Sequence, residues 1–395
     1  MPEGRLSVAW ISFFPVEWLP DAPEPLRKLS RRHPAPWQRV LLDELRSADD
    51  LDLHIFAVRR HYPADFSFQR ANATFHCVKV PPGMRTLSFF WWETLLIGRA
   101  LKALRPDLVH AWGTERGAAL VASRLRHPAL VTMQGLLGWC AEQIKPDNFM
   151  RLEARLERVS LRRASVVTAE SKFALGWLHE RFPHLQVRQV EHAPNWLFHQ
   201  LVRRASLKPF NFLFVGTMSR LKGTDLLLQA LDKLLNEIDF RLTIVSVETP
   251  EFLKHLRTLG SAALWERITI LTNLTQPEVA AQMETATIML FPTRVDNSPN
   301  SVKEAVVAGL PVVASAIGGI VDYVIPGQNG LLFKAGDLDE FVATIRAAVA
   351  HPLFSRGHVD IKTLNQMRNY LSPPTMAKRF LEAYRFVSAG RGADM

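Results

Sequence analysis

Two cations one residue apart, Arg220 and Lys222, lie in Val215-Gly216-Thr217-Met218-Ser219-Arg220-Leu221-Lys222-Gly223, where an apolar run gives way to a helical pattern. A diphosphate needs positive charge of this kind, and each charge-assisted hydrogen bond is worth about 1.5–3 kcal/mol. Gly216 would let the backbone approach such a ligand closely. Alone, a basic strand–helix turn is more often a solvated loop. A second segment, Phe291-Pro292-Thr293-Arg294-Val295-Asp296-Asn297-Ser298-Pro299-Asn300-Ser301-Val302-Lys303-Glu304-Ala305, follows another apolar run and opens a helix that closes at Gly309. Backbone N–H groups from Asn297 through Ser298 and Asn300 to Ser301 are expected to face the strand ends, where a helix start attracts phosphate. Glu304 stands one turn in, placed to accept hydrogen bonds from ribose hydroxyls. Ser301-x-x-Glu304 is also the spacing of a capping box, the reading that spacing alone favours. In a third segment a buried strand, Val312-Val313-Ala314, ends at Gly318-Gly319, a turn that lets the chain pass close to a ligand.

These segments need a scaffold, and the pattern supplies one. Short apolar runs alternate with helical stretches, the mark of parallel sheets wrapped by helices. Runs at 6–12, 51–58, 75–80, 108–111, 129–132, 166–168 and 187–190 read as strands of a first half, with helices at 37–47, 87–104, 149–164 and 172–181. The pattern restarts after a basic, less regular stretch at 201–209, read as a linker. Strands are expected at 212–215, 242–245, 268–271, 288–290, 312–314 and 331–333, with helices at 224–235, 276–284, 301–309 and 338–350. After Pro373 and Pro374 a final helix places Met376, Phe380, Tyr384 and Val387 on one apolar stripe. It is expected to pack back on the first domain.

A chain of 395 residues exceeds what one core usually serves, so two domains are expected. No apolar run reaches the ~18 residues that span a bilayer, and the apolar start at 6–14 reads as a strand rather than a signal peptide. Cys77 and Cys140 are the only cysteines, too few for a disulfide framework or a zinc site, which points to a reducing cytoplasm. The net charge of +10 is uneven: residues 1–210 carry 30 Lys and Arg against 20 Asp and Glu, and the rest balances at 18 of each. An anionic partner for the first half follows, whether phospholipid head groups, a lipid-linked diphosphate or nucleic acid, with a plain solubility bias as the alternative.

Taken in order, Gly216…Arg220-x-Lys222-Gly223, Asp296-x7-Glu304-Ala305, Gly309-x-Pro311-Val312-Val313, Gly318-Gly319-x-x-Asp322 and Gly327-x-Asn329-Gly330 resemble the family-4 glycosyltransferases of the GT-B fold. The likeness is specific over 211–350; Asp107-x-x-His110 and Thr132-x-Gln134-Gly135 resemble landmarks of that family's first domain. The resemblance implies an α/β chain of two Rossmann-like, doubly wound domains facing each other across a cleft: an acceptor-side domain at 1–203, joined by a returning helix at 374–395, and a nucleotide-sugar donor domain at 204–373. It implies retaining, metal-independent transfer, hexosyl in type, from a UDP- or GDP-sugar co-substrate with no cofactor. The acceptor would be a glycan or a lipid-linked one, in cell-surface polysaccharide synthesis. Peripheral contact of the basic first domain with the inner membrane face stays open, and nucleic acid is not expected. By motif, Arg220 and Lys222 would hold the diphosphate, Glu304 the ribose, and Asp296 would sit near the donor sugar. Backbone amides from Asn297 to Asn300 would contact sugar or phosphate oxygens.

The chain departs from that pattern in places. Asp296 stands where the first acid is usually Glu, and Gln134 where a His commonly lies beside the donor sugar. Trp112 replaces a frequent second His after His110, and Glu115 follows at a strand end, where it could read sugar hydroxyls or be a solvated carboxylate. A Pro-rich basic stretch replaces the Gly-Gly loop after the first strand, and Ser246-Val247-Glu248 replaces a Gly-rich turn. Asp50-Leu51-Asp52 and Asp337-Leu338-Asp339 match a metal-binding Asp-x-Asp but read as structural. Leu87-Ser88-Phe89-Phe90-Trp91-Trp92-Glu93, beside Arg85, Arg99 and Lys102, could suit a head-group boundary. Apolar residues nearly encircle that helix, so burial against the sheet is the expectation. The histidines show no metal-ligand spacing. Two other functions remain: a nucleotide-sugar epimerase of the same fold, and a non-catalytic membrane- or nucleic-acid-binding protein with a vestigial cleft.

Overall fold

The computed structural model describes residues 5–29, 35–81, 83–205, 208–247 and 249–389. Residues 1–4, residues 30–34 of the Pro-rich basic stretch, Pro82, Ser206 and Leu207 of the expected linker, Glu248 and residues 390–395 lie outside them. The chain forms two units, Met1–Glu191 with Pro373–Met395, and His192–Ser372.

The first unit holds eight strands: β1 (Leu6–Ser12), β2 (Leu51–Arg59), β3 (Phe66–Arg70), β4 (Ala73–Lys79), β5 (Leu108–Trp112), β6 (Ala129–Thr132), β7 (Val166–Ala169) and β8 (Gln186–Gln189). They are ordered β3-β4-β2-β1-β5-β6-β7-β8. All pairs are parallel except β3 with β4. Strands buried on both faces, such as Val8 to Ile11 and Leu108 to Trp112, need the near-continuous apolar runs that the sequence has. Strand β3 was not foreseen. Its five residues alternate half-exposed with exposed at the sheet edge, and its hairpin turns on Ala71 (φ 51°) and Asn72 with no Asn-Gly or Asp-Gly marker. The helix Pro373–Ala389 buries Met376, Phe380, Tyr384 and Val387 within this unit, against β5, β6 and the helix Pro36–Leu45.

The helix expected over 87–104 breaks in two, Met84–Leu87 and Trp91–Leu104, at Phe89 and Phe90, which take left-handed φ of 46° and 62°. Phe90 turns inward, while Phe89, Trp91 and Trp92 are exposed, so the expectation of a buried aromatic stretch is corrected. The break rotates the aromatics off the sheet, which a continuous helix pattern could not reveal.

The second unit is one parallel sheet ordered β11-β10-β9-β12-β13-β14. Its strands are β9 (Phe210–Val215), β10 (Phe240–Ser246), β11 (Ile268–Thr272), β12 (Ile288–Phe291), β13 (Val312–Ser315) and β14 (Gly330–Phe333). It begins ahead of the basic stretch that suggested a linker, because Phe198, fully buried, belongs to its core. Asp337 caps the helix Leu338–Ala350 through the Glu340 amide at 3.0 Å, and Asp50 pairs with Arg385 at 2.8 Å on the surface. Among the described residues, no helix is long and apolar enough to cross a membrane, and no three His, Cys, Asp or Glu cluster as a metal site.

Candidate functional site

In the second sheet the connections leave β9 toward β10 and β12 toward β13, so the strand order reverses between β9 and β12. Ligands of such sheets sit beyond the carboxyl ends of strands at that reversal. Both cation-bearing and helix-opening segments emerge there. They are stitched together: Lys222 pairs with Asp296, the Arg294 amide donates to Leu221 O at 2.7 Å, and the Thr293 hydroxyl donates to the same carbonyl at 3.2 Å. The Arg294 guanidinium grips both oxygens of Asp225 at 2.6 and 3.0 Å and reaches Arg220 O at 2.7 Å. Arg294 was not foreseen; a lone Arg between Thr and Val carries no sequence signal.

Two glycines make this contact close. At Gly223 (φ 72°) an added Cβ would meet Pro292 O at 1.8 Å. At Gly318 (φ 56°) it would meet Asp296 O at 1.9 Å, and the next amide, of Gly319, donates to Asn297 O at 2.6 Å. Only glycine permits both the dihedral and the approach. The third segment therefore joins the first two at one edge. Gly216, part-exposed, continues β9, and its amide donates to Val245 O at 3.0 Å.

The helix Asn300–Ala308 starts after Pro299 with no side-chain cap. Ser301 is inside its first turn and Glu304 beyond it, so the capping box is corrected: neither residue occupies the position that pairing requires. The uncapped first turn keeps N–H groups without an intrahelical acceptor. Asn297 and Ser298 are buried beside it, and the Ser298 hydroxyl has no protein partner among the described residues. Glu304 keeps part of its surface open, yet desolvation raises its pKa to about 8, against a lowering pull from Lys303. Arg220 is exposed and Lys222 half-buried, so the edge offers two cations, an uncapped helix start and one carboxyl in its neutral state near pH 7.

The first sheet reverses between β1 and β5. Glu115 follows β5, and its carboxylate accepts from the Gly135 amide at 2.9 Å. A Cβ on Gly113 would lie 2.5 Å from its other oxygen and 3.2 Å from the Gln134 amide oxygen, so Glu115 and Gln134 share this edge. Burial raises the Glu115 pKa. Behind it Glu157, buried on the helix Asn148–Leu161, accepts from Thr114 Oγ1 (2.6 Å), the Gly138 amide (2.8 Å) and the Leu137 amide (3.2 Å). Desolvation still lifts its pKa to about 7. Arg116, Arg85 and Arg59 surround the Phe13 ring at 4.5, 5.0 and 5.5 Å at the same edge, with Arg59 paired to Glu17 at 2.9 Å and Arg85 paired to Glu93. Neither Glu157 nor this cluster was legible, because their members are scattered in sequence.

His110, expected on the sugar side, is instead fully buried. Its Nδ1 meets the Tyr384 hydroxyl at 2.8 Å and its Nε2 the Thr132 hydroxyl at 2.6 Å, while Trp10 Nε1 donates to Tyr384 at 3.0 Å. With the Trp112 ring tilted against it at 4.4 Å, this histidine braces the sheet. Its spacing from Asp107 could not tell an inward from an outward ring.

Two sequence families match this chain: the glycosyl transferases group 1 over residues 209–351, and the glycosyl transferase 4-like domain over 37–206. Among curated relatives, D-inositol 3-phosphate glycosyltransferase 1 of Catenulispora acidiphila is 31% identical over 154 residues, 36% of this chain and 36% of that protein. The D-inositol 3-phosphate glycosyltransferase of Pseudarthrobacter chlorophenolicus is 34% identical over 127 residues, 31% of this chain and 30% of that protein. The match thus spans about a third of these relatives' length. Sucrose-phosphate synthase from Thermosynechococcus elongatus superposes with a TM-score of 0.77 at 18% identity, covering 98% of this chain and 100% of that one. HepE of Anabaena in complex with UDP gives 0.68 at 14% identity, covering 96% and 99%. With the fold of those structures and both halves matched, the chain belongs to the family-4 glycosyltransferases of the GT-B fold.

Proposed function

We propose that this protein moves a hexosyl group, with retention of configuration, from a UDP- or GDP-sugar to an anionic glycan or lipid-linked acceptor in cell-surface polysaccharide synthesis. The observation that carries the reading is the meeting of Lys222, Arg220 and the uncapped start of Asn300–Ala308 at the β9/β12 reversal. The diphosphate takes Lys222 from Asp296 and lies across the free amides of that helix. Arg220, with no side-chain partner among the described residues, closes over it. These groups stabilise the charge that gathers on the leaving phosphate as the C1–oxygen bond breaks. The acceptor oxygen forms its bond to C1 from the same face, and its proton passes to the departing phosphate oxygen. Positive charge comes from side chains and amides, so no metal is required.

Glu304 holds the ribose: its carboxyl, neutral near pH 7, ionises as hydroxyls donate to it. Asp296, released by Lys222, turns toward the donor sugar, and the amides from Asn297 to Ser301 meet phosphate and sugar oxygens. On the acceptor side, Glu115 and Gln134 read hydroxyls while Arg116 and Arg85 attract negative charge. A thermal-shift screen over nucleotide sugars, UDP-glucose first because HepE is described in complex with it, tests the donor. Product anomers read by NMR test retention, and full turnover in a chelator tests metal independence. Absence of any nucleotide-sugar stabilisation would sink the reading, and donor isomerisation without an acceptor would replace it with an epimerase.

A further inference from the structure

The helix Asn148–Leu161 turns part of its apolar surface outward. Phe149, Leu152 and Val159 are exposed, whereas Glu157 and Ser160 are buried beside Leu161. A helix covering a sheet normally buries the apolar stripe, so the outward stripe needs another neighbour. Between and beside those apolar residues stand Arg151, Arg155, Arg158 and Arg162, and the two acids, Glu153 and Glu157, do not share their exposed rows.

A second helix of the same unit repeats the arrangement. Leu87, Phe89, Trp91, Trp92 and Leu95 are exposed around the start of Trp91–Leu104, and Arg99 and Lys102 follow along its outer side. Left-handed backbone at Phe89, strained for a non-glycine residue, holds an aromatic in solvent rather than in the core. The helix Ala118–Ala122 packs against both others, so the three lie side by side. Arg124 at its end stacks 4.4 Å over Trp91 and feels the charge of Arg163. Helices between parallel strands start at the strands' carboxyl ends, so both apolar tips lie at the sheet edge that carries Glu115 and Gln134. The arginines run away from that edge, beside a cavity of about 440 Å³ that Arg155, Arg158 and Arg162 line with Trp177.

We infer that this face docks on an anionic phospholipid surface, the aromatic tips entering the acyl boundary and the arginine rows meeting head-group phosphates. Charge complementarity selects that occupant: the chain's whole positive excess lies in residues 1–210, and exposed aromatics beside arginines suit a head-group boundary. Docking would bring an acceptor carried in the membrane to the acceptor edge without crossing water. This surface is distinct from the donor edge, so donor binding and docking fail separately.

Flotation of the full chain with phosphatidylcholine vesicles, with and without a quarter phosphatidylglycerol, tests it. At 0.1 M salt the protein should float at least tenfold better with the anionic vesicles and lose that preference at 0.5 M salt. Phe89→Ser with Trp91→Ser, and separately Arg155→Glu with Arg158→Glu, should each lower flotation at least tenfold while melting temperature and nucleotide-sugar stabilisation stay unchanged. Equal flotation with neutral and anionic vesicles, or variants that float as well as the parent, would overturn the inference. So would a dimer in solution that the same variants dissociate, since a second copy would then own the face.

Discussion

The carboxyl edges of the two sheets occupy equivalent places and are built differently. The donor-side edge is backbone against backbone: Gly223 on Pro292, Gly318 on Asp296, Gly319 bonded to Asn297. The acceptor-side edge is made of long side chains, a Glu115 carboxylate between two loops and guanidiniums around Phe13. A diphosphate offers one unvarying shape, which fixed amides and close turns can match. An acceptor varies, and side chains can change without disturbing a sheet. On the proposed function, the rigid half would recognise the common group and the side-chain half the particular one.

The sharpest break would come from Lys222→Ala. Transfer should fall about 100- to 1000-fold, the size expected for losing a donor to developing charge, with unit one untouched. A steady-state assay reads it; activity within threefold of the parent would remove the residue from the site. Next, Gly318→Ala should cost about 2–3 kcal/mol and weaken donor binding, because its Cβ meets Asp296 O. Gly327→Ala, also at positive φ (75°) but with open space around it, should cost only about 1 kcal/mol and leave binding alone. Chemical denaturation of both, with calorimetric titration of the donor, separates crowding from strain.

The pH dependence has a definite sign. Glu304, with its pKa raised to about 8, is mostly protonated at pH 7, and ribose hydroxyls favour the carboxylate. Donor affinity should therefore rise about tenfold between pH 7 and 9, and Glu304→Gln should flatten the rise. A flat profile in the parent would take the ribose from this residue. In the first unit, Tyr384→Phe removes the hydroxyl that Trp10 and His110 share and should cost about 1–2 kcal/mol. Donor binding should be unaffected; a large drop would mean that the buried network serves more than the sheet.

Much of the fold was legible because parallel sheets write themselves as apolar runs. Every strand of the second sheet and all but β3 of the first were read from such runs; in the central strands burial on both faces leaves no polar alternative, whereas the edge strand β8 is polar and part-exposed. Strand β3, at the edge, has half its surface in water and an unmarked turn. The three segments proposed to hold the donor were legible because their glycines and paired cations are contiguous in sequence. His110 misled because spacing fixes a strand position but not whether a ring is enclosed.

By itself, then, the sequence determined the two sheets, the family and the three glycine- and cation-bearing segments of the second unit, through periodicity and local motifs that need no distant partner. Only the tertiary structure decided that Lys222 meets Asp296, that Glu304 is no cap and is desolvated, and that Glu157 is buried while Phe149 and Trp91 are exposed. Each depends on which neighbour comes near across tens of residues. Burial, charge pairing and pKa belong to those neighbours and not to the local chain.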